Sequence, residues 1–465
     1  MHPRTPQFIP SDARSAVVGQ VTDSFGGTIA LPGSKSLTNR ALLIAGLADG
    51  PTRLSNLLEC DDSLYLIDAL RQLGVEVDQQ GSEVLVHGAG GAFPVKTGEF
   101  YLGNAGTATR FLTAALAASG GTYIVDGEPR MRERPIKDLL TALRVLGADV
   151  GSPTGCPPVT IRPSRLTPGR VNMSGAVSSQ FISGVLMAAP LARGNVSVRI
   201  EGELVSRPYL DLTFDCMRSF GAKVFTYDKT ADGQPIFEVQ SEHKYVGREY
   251  FVEGDASAAS YFFAAAAVTG ATIRVEGVGR ESSQGDLGCA DVLAEMGCRV
   301  TKEENAVQVV GGDFLTSVDV DCSEMPDVVP TLAVTALFAR GRTRLRGVPH
   351  LRHKESDRIA SVASELRKIG GQVRELKDGL EIEGSLGSNT ETLHGGEIDT
   401  WGDHRIAMAL SVAGLVIPDV FLREAGVVSK SFPSFFQAMA SLGAPVSFVK
   451  ADGSLERVEP SESPS

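Results

Sequence analysis

The start of the first apolar helix has the residue types and spacing of an anion-binding site. A Pro-Gly break precedes Lys35, Ser36 and Arg40, and an apolar helix is predicted over residues 37–48. A helix N-terminus offers unpaired N–H groups and about half a positive charge, which stabilise a phosphate or carboxylate. The same pattern arises where Ser36 only caps the helix and both cations are solvated. The remainder of the chain decides between these readings.

Other stretches carry similar polar groups at predicted helix starts or in loops. They contain Gly106; Arg130, Arg132 and Arg134; Ser178, Ser179 and Gln180; Ser206 and Tyr209; Asp327; Lys354, Glu355 and Arg358; His404 and Arg405; and Lys430. Arginine suits bidentate recognition of carboxylates and phosphates. The alternatives are helix caps, turns and solvated ion pairs, such as Arg130 with Glu133. His350 and His353 have a metal-like spacing without a matching acidic pattern, so no metal site is predicted.

A repeat of about 73 residues positions these stretches. Six amphipathic helices each end at a glycine, where a helix C-terminus favours a residue that tolerates positive φ: Gly74, Gly147, Gly221, Gly297, Gly370 and Gly443. Six other helices are apolar on nearly all faces and are therefore buried. They begin near Ser36, Gly106, Ser178, Asp255, Asp327 and Asp403. Such units can form a ring, a solenoid or two sets of three.

Length and charge narrow the class of protein. A chain of 465 residues predicts two to four domains. A net charge of −12 argues against nucleic-acid and anionic-membrane partners. No run is long enough for a membrane helix and the start of the chain is polar, so a cytoplasmic location is expected. The six scattered cysteines are expected to be free thiols. Residues 1–18 are expected to be a poorly ordered lead-in to a strand near residues 28–31.

Nine of these motifs together resemble the successive signatures of the 5-enolpyruvylshikimate-3-phosphate synthase family. They cover residues 31–40, 103–110, 127–135, 178–181, 205–209, 253–261, 354–358, 403–408 and 430–432. The resemblance runs from about residue 20 to 447 in the order and spacing of the family.

The resemblance implies a fold and an activity. The fold is α/β (α+β), with six βαβαββ repeats arranged three per domain around buried helices, an inside-out α/β barrel. The domains would be 34–252, and 1–33 with 253–465, with the active site in the cleft between them. Such an enzyme transfers the enolpyruvyl group of phosphoenolpyruvate to the 5-hydroxyl of shikimate 3-phosphate and releases phosphate. It uses no metal or other cofactor, and a monomer is expected.

The resemblance also implies roles for individual residues. Shikimate 3-phosphate would be bound by Lys35, Ser36, Arg40, Ser178, Ser179, Gln180, Ser206, Tyr209, Asp327, His350 and Lys354. Phosphoenolpyruvate would be bound by Lys35, Gly106, Arg130, Gln180, Glu355, Arg358, His404, Arg405 and Lys430. Two polyanions must meet, so several cations are needed to offset their repulsion. Asp327 and Glu355 are the expected proton carriers, with Lys35 as a cationic acid partner, and their order is left open.

Three positions depart from the family pattern, and two other functions compete. His350 stands where the family often has Asn, Phe111 where many relatives have Pro, and Thr109 also varies. Gly106 is retained, which implies inhibition by glyphosate, a competitor at the phosphoenolpyruvate site. The rival UDP-N-acetylglucosamine enolpyruvyl transferase usually relies on a cysteine in a loop that has none here, in residues 111–140. A non-catalytic repeat protein is the rival of another class.

Overall fold

The computed structural model divides into two compact units. It describes residues 8–22, 24–176, 178–227, 233–385 and 393–460. The first unit runs from Gly33 to Glu253, and the second combines the preceding described residues with those from Gly254 onwards.

Strands are short and alternate with helices throughout. The chain opens with β1 (Ala13–Val18) and β2 (Gly27–Ala30). The first unit continues with β3 (Asp49–Ser55), β4 (Glu76–Gln80), β5 (Glu83–Ala89), β6 (Thr97–Tyr101), β7 (Thr122–Asp126), β8 (Val150–Gly151), β9 (Val159–Ile161), β10 (Gly169–Ser174), β11 (Val196–Glu201), β12 (Lys223–Tyr227), β13 (Ile236–Gln240) and β14 (Glu249–Phe251). The second unit adds β15 (Thr272–Glu276), β16 (Arg299–Lys302), β17 (Ala306–Val310), β18 (Leu315–Thr316), β19 (Asp319–Asp321), β20 (Ala339–Arg340), β21 (Arg342–Arg346), β22 (Gln372–Leu376), β23 (Gly379–Glu383), β24 (Gly396–Ile398), β25 (Val420–Arg423), β26 (Val446–Lys450) and β27 (Leu455–Arg457).

Helices follow the predicted alternation of buried and amphipathic segments. The first unit has α1 (Lys35–Leu47), α2 (Asp61–Gln72), α3 (Gly106–Ser119), α4 (Lys137–Val145), α5 (Ser179–Ala188) and α6 (Arg207–Ser219). The second has α7 (Ala256–Thr269), α8 (Gly288–Glu295), α9 (Val329–Ala336), α10 (Arg358–Lys368), α11 (His404–Gly414) and α12 (Phe435–Ser441). Short 3-10 helices cover Met131–Glu133, Ala189–Leu191, Gly285–Leu287, Pro326–Val328, Pro349–His353 and Ala425–Lys430. The odd-numbered α-helices are buried along nearly their whole length. They form the centre of each unit's apolar core.

The six repeat glycines have the backbone conformation that the sequence predicts. Each follows an even-numbered helix with φ between 84° and 111°, a region that side chains with a Cβ rarely adopt. These glycines therefore end the amphipathic helices and turn the chain into the next strand.

Three four-stranded sheets of the first unit share one topology. Their strand orders are β14-β3-β5-β4, β6-β7-β9-β8 and β10-β11-β13-β12. The first two strands of each order are parallel and the others antiparallel, which is the βαβαββ connectivity. β14, the last strand of the unit, pairs with β3 and completes the first repeat.

The second unit repeats this topology with strands supplied by the start of the chain. Its larger sheets have the orders β16-β17-β15-β2, β19-β21-β23-β22 and β24-β25-β1-β26-β27. A two-stranded sheet of β18 and β20 accompanies them. The expectation of a poorly ordered start is wrong for residues 13–18, because β1 pairs antiparallel with both β25 and β26. Residues 1–7 lie outside the described residues.

The remaining local predictions are met with small shifts. β2 covers the strand expected near residues 28–31. All six cysteines are free. None of the helices within the described ranges is both long and apolar enough to cross a membrane.

Candidate active site

The start of α1 differs in one detail from the sequence prediction. The helix begins at Lys35, with Ser34 rather than Ser36 in the capping position, and the Ser34 side chain makes no capping bond. The Ser34 N–H instead donates to Glu253 O at 2.7 Å. Gly33 is needed here because a Cβ would lie only 1.9 Å from Asn56 O. Ser36 is therefore a residue of the first helical turn and not the cap.

Arg40 points into the core of the first unit and is only 1% exposed. Its Nε donates to Thr213 Oγ1 at 2.8 Å, Nη1 to Ser36 O at 2.9 Å and Nη2 to Tyr209 O at 2.8 Å. The guanidinium also lies 5.1 Å from the centre of the Phe111 ring. Burial lowers the pKa of Arg40 to about 10, so it remains charged at neutral pH. Arg40 is thus a fixed cation whose hydrogen bonds join α1 to α6.

Gly106 begins α3 beside two buried arginines. An added Cβ would lie 2.5 Å from Arg110 Nη1 and 2.5 Å from Arg134 Nη2. Arg110 Nη1 donates to Gly106 O at 2.9 Å, and Arg134 Nη1 donates to Asn104 O at 3.1 Å and Asn104 Oδ1 at 3.0 Å. The backbone at Gly106 is therefore open only because the residue lacks a side chain.

The three arginines of the 130–134 loop have different environments. Arg130 Nη1 pairs with the exposed Glu133 at 2.8 Å, and Arg132 pairs with Asp126 at 2.6 Å. Arg134 is buried against α3. Arg134 is absent from the predicted site, since sequence spacing alone does not distinguish it from its two neighbours.

The other predicted residues of the first unit also stand at helix starts. Ser178 caps α5, accepting from Gln180 N at 3.3 Å, and Ser179 is the first helical residue. Gln180 Nε2 donates to Thr107 Oγ1 at 3.2 Å, which connects the starts of α5 and α3. Ser206, in the capping position of α6, has a φ of 57°, and Tyr209 N donates to Ser206 O at 3.1 Å. A positive φ in a residue with a Cβ is strained backbone.

In the second unit, a buried network surrounds Arg358, whose side chain is 2% exposed. Arg358 Nε donates to Asp403 Oδ2 at 2.8 Å, Nη1 to Asp327 Oδ1 at 3.0 Å and Nη2 to Glu355 Oε2 at 2.7 Å. Burial disfavours the charged guanidinium, but the carboxylates of Asp403, Glu355 and Asp327 outweigh it and raise the pKa of Arg358. Both predicted proton carriers therefore contact one fixed cation.

Asp327 is contacted by two further cations. Arg405 Nη2 lies 2.6 Å from Asp327 Oδ2, and Lys354 Nζ lies 3.8 Å from Asp327 Oδ1. The structure thus brings five predicted site residues of the second unit into one network: Asp327, Lys354, Glu355, Arg358 and Arg405.

Asp403 holds this network to the start of α11. It is fully buried, caps the helix by accepting from Arg405 N at 3.0 Å, and accepts from Ser356 Oγ at 3.1 Å. The sequence marked Asp403 only as a helix start. His404, the first residue of α11, is also fully buried, with Nδ1 3.4 Å from Asp403 Oδ1. Lys430 is buried at the end of the 3-10 helix Ala425–Lys430.

His350 has an environment that keeps its ring neutral. Both ring nitrogens are shielded from solvent, and neither has a hydrogen-bond partner among the described residues. Burial and then the positive charge of Lys354 lower the pKa of His350 to about 3, against an opposing contribution from Asp327. A neutral imidazole offers one donor and one acceptor to a bound molecule.

Asp286 is a buried carboxyl that the sequence prediction missed. Its Oδ2 accepts a hydrogen bond from Ser257 Oγ. Burial and the negative charge of Asp327 raise the pKa of Asp286 to about 6, while Arg405 acts in the opposite direction. Tyr261, on α7, is also buried, which raises the pKa of its hydroxyl against the influence of Arg405. The Gln-Gly-Asp sequence at residues 284–286 has no periodicity that distinguishes this buried carboxyl from one in an exposed loop.

Metal-ligand groupings are confined to one place in the described part of the chain. Donor atoms of Glu76, Asp78 and His87 lie within 4.8 Å of one another. All three side chains are exposed on the strands β4 and β5. None of them belongs to the predicted substrate-binding sets.

Comparison with solved structures defines the class of protein as an enolpyruvyl transferase. An EPSP synthase from Acinetobacter baumannii superimposes with a TM-score of 0.77 at 29% identity, covering 93% of this chain and 99% of that one. The enolpyruvyl transferase NikO from Streptomyces tendae has the same fold, with a TM-score of 0.74 at 19% identity over 94% of this chain and 99% of its own. The predicted fold class is confirmed.

The chain belongs to the EPSP synthase (3-phosphoshikimate 1-carboxyvinyltransferase) family, whose model matches residues 20–439. A 3-phosphoshikimate 1-carboxyvinyltransferase of Thiobacillus denitrificans is 47% identical over 90% of this chain and 96% of its own length. The chloroplastic enzyme of Arabidopsis thaliana is 44% identical over 92% of this chain and 85% of its own. The predicted enzyme class is confirmed, and the alternative UDP-N-acetylglucosamine enolpyruvyl transferase is not favoured.

Proposed function

We propose that this enzyme transfers the enolpyruvyl group of phosphoenolpyruvate to the 5-hydroxyl of shikimate 3-phosphate, as a step of aromatic amino-acid biosynthesis. The assignment of residues rests mainly on the ion-pair network of Asp327, Glu355, Arg358 and Arg405, in which both arginines are buried. It combines fixed cations, which suit a polyanionic substrate, with two carboxylates able to accept protons.

Shikimate 3-phosphate is proposed to bind through helix starts of the first unit. The residues are Lys35, Ser36, Arg40, Ser178, Ser179, Gln180, Ser206 and Tyr209. Backbone N–H groups and hydroxyls at helix N-termini suit a phosphate, which supports this set. Because Arg40 already donates to three protein oxygens, its main contribution is a positive charge and the positioning of Ser36 and Tyr209.

Asp327, His350 and Lys354 are proposed to contact the hydroxyl groups of the same substrate. His350 suits this role because it is neutral and its ring nitrogens have no partner within the described ranges. Like the amide of Asn, which the family often has here, neutral imidazole both donates and accepts. The replacement therefore keeps one donor and one acceptor at the position, fewer than an amide offers.

Phosphoenolpyruvate is proposed to bind through cations and one open stretch of backbone. The residues are Lys35, Gly106, Arg130, Gln180, Glu355, Arg358, His404, Arg405 and Lys430. Arg358 and Arg405 are buried and held by carboxylates, so they are oriented before the substrate arrives. Pre-oriented charges cost little reorganisation during the reaction.

The reaction proceeds by addition and elimination. A base removes the 5-hydroxyl proton as that oxygen attacks C2 of phosphoenolpyruvate, and an acid protonates C3 to give a tetrahedral intermediate. Loss of the proton from C3 then expels phosphate and restores the double bond. Asp327 is the proposed base, because its carboxylate is held in a fixed position by Arg358 and Arg405. Glu355 and Lys35 are the proposed partners at C3.

A phosphate-release assay tests this function. The wild-type protein should release phosphate when phosphoenolpyruvate and shikimate 3-phosphate are mixed, without added metal, and not with UDP-N-acetylglucosamine as the acceptor. Release with the nucleotide sugar and none with shikimate 3-phosphate would reject the proposal. A monomeric enzyme in the cytoplasm is also proposed, which sedimentation and cell fractionation can test.

A further inference from the structure

Thr213 lies at the meeting point of three helices that carry proposed shikimate 3-phosphate ligands. It is fully buried on α6. Its Oγ1 lies 2.8 Å from Arg40 Nε on α1, 2.8 Å from Ser183 Oγ on α5, and 2.9 Å from Tyr209 O on α6. A single hydroxyl thus connects α1, α5 and α6.

The hydrogen-bonding capacity of this hydroxyl is fully used. A threonine hydroxyl donates once and accepts twice. Arg40 can only donate, and a carbonyl such as Tyr209 O can only accept, so the proton of Thr213 goes to Tyr209 O. Ser183 must then be the second donor to Thr213. The donor and the acceptor of each of these three hydrogen bonds are therefore fixed.

Each group joined to Thr213 lies next to a proposed substrate ligand. Arg40 also donates to Ser36 O and Tyr209 O, the main-chain groups of two such ligands. Ser183 is four residues after Ser179, which places both on the same face of α5. A displacement at Thr213 would therefore be transmitted to Ser36, Ser179 and Tyr209.

We propose that Thr213, assisted by Ser183, is a positioning residue for shikimate 3-phosphate, which it affects through Arg40 and the starts of α1, α5 and α6. The proposal rests on the proposed function of these helix starts. Thr213 is buried behind its neighbours, so it acts without contacting the substrate. Most residues proposed to bind phosphoenolpyruvate lie elsewhere: Arg358, Arg405 and Lys430 belong to the second unit, and only Lys35 and Gln180 stand at the starts of α1 and α5.

Thr213→Val tests the proposal, because it removes the hydroxyl and keeps the shape of the side chain. Without its acceptor, Arg40 loses one of the bonds that orient it in the core, and a hydrogen bond to a charged group is among the stronger ones. The KM and dissociation constant for shikimate 3-phosphate should rise about tenfold or more, and the KM for phosphoenolpyruvate should rise by a clearly smaller factor, because only Lys35 and Gln180 of its proposed ligands lie at these helix starts. Thr213→Ser should restore near wild-type values.

Thr113→Val is the matched control. Thr113 is equally buried in the first unit and donates to Thr109 O at 2.7 Å, one turn earlier, as Thr213 does to Tyr209 O. Thr113→Val removes the same kind of hydrogen bond to the preceding turn, without the bond to Arg40, and should retain wild-type affinity for shikimate 3-phosphate. Ser183→Ala provides a milder variant if Thr213→Val does not fold, with an expected rise of about threefold in the same dissociation constant.

These variants test the positioning role of Thr213 separately from the proposed function of the enzyme. If the wild-type protein turns over both substrates but Thr213→Val or Ser183→Ala binds shikimate 3-phosphate with unchanged affinity, the positioning role is refuted and the proposed function is not. Equal weakening for both substrates, or an equal effect of Thr113→Val, would also overturn it. A wild-type protein that binds neither substrate and releases no phosphate would instead reject the proposed function.

Discussion

Gly106→Ala should selectively weaken the binding of phosphoenolpyruvate. The new methyl group would lie 2.5 Å from Arg110 Nη1 and Arg134 Nη2, and 2.8 Å from Arg134 Cζ. Ordinary contacts begin near 3.4 Å, so the guanidinium groups must retreat by about 1 Å. Both are buried and hydrogen-bonded to Gly106 O, Pro135 O or Asn104, which limits their freedom to move.

The expected magnitude follows from this crowding. An extra methyl group in a well-packed site costs about 1–3 kcal/mol, which corresponds to roughly fivefold to 150-fold in affinity. The KM for phosphoenolpyruvate should rise within that range, and the KM for shikimate 3-phosphate should change less than about threefold. Inhibition by glyphosate, expected for the wild type, should weaken in parallel.

Steady-state kinetics with each substrate varied in turn provide the assay. Gly151→Ala is the control, because a Cβ at Gly151 meets no atom within 4 Å and its φ is not in the left-handed region. It should leave both KM values unchanged. An unaltered KM for phosphoenolpyruvate in Gly106→Ala would refute the proposed contact, and a wild-type enzyme unaffected by millimolar glyphosate would refute the expected inhibition.

Three further predictions concern the carboxyl groups of the second unit. Asp327→Asn and Glu355→Gln should each lower turnover by at least about a hundredfold, since a general acid or base contributes that much; a nearly unchanged kcat in either variant would contradict its proton-carrying role. Asp403→Asn should lower the free energy of unfolding in urea by about 3 kcal/mol, because it leaves the buried Arg358 with one charge fewer opposite it. Asp357→Asn is the control, because Asp357 also caps a helix but pairs with the partly exposed Arg352. It should lower the free energy of unfolding by less than about 1 kcal/mol. Equal losses in the two variants would argue against a special role for Asp403. Asp286→Asn should change the pH dependence of unfolding. The pKa of Asp286 is about 6 in the folded protein and 3.8 ordinarily, so the folded state binds this proton more tightly. The resulting contribution to the free energy of unfolding, about 3 kcal/mol at most, is complete below pH 3.8 and is lost as the pH rises through 6. Urea titrations from pH 4 to pH 7 should show this decline in the wild type and not in the variant, and identical pH profiles would contradict it.

The helices could be predicted from the sequence because the features that define a helix lie within its own residues. An apolar helix is recognised from its own residues, and a glycine such as Gly147 marks a helix end through its own φ. The same reasoning located the starts of α3, α5, α7 and α11 to within a residue. For α1, the structure places Ser34 in the capping position in place of the expected Ser36, because residue type alone does not distinguish two serines.

Long-range pairing could not be read from such patterns. β1 forms a strand because β25 and β26, some 400 residues later, supply its partners, and its own sequence only suggested a polar lead-in. Tertiary context commonly overrides local preference in strands.

The environments of charged residues were the least predictable feature of the candidate site. Arg130, Arg132 and Arg134 are indistinguishable by type, yet only Arg134 is buried against Gly106. Asp403 looked like an ordinary cap, and its second role depends on Arg358, 45 residues away. Such roles depend on burial and on distant partners, which residue spacing does not encode.

Phosphate release from phosphoenolpyruvate and shikimate 3-phosphate, compared between the wild type and Glu355→Gln, is the most direct measurement of the proposed chemistry. We expect turnover by the wild type with shikimate 3-phosphate as acceptor, none with UDP-N-acetylglucosamine, and at least about a hundredfold less by the variant. Phosphate release that requires the nucleotide sugar, or that proceeds equally well in the variant, would contradict it.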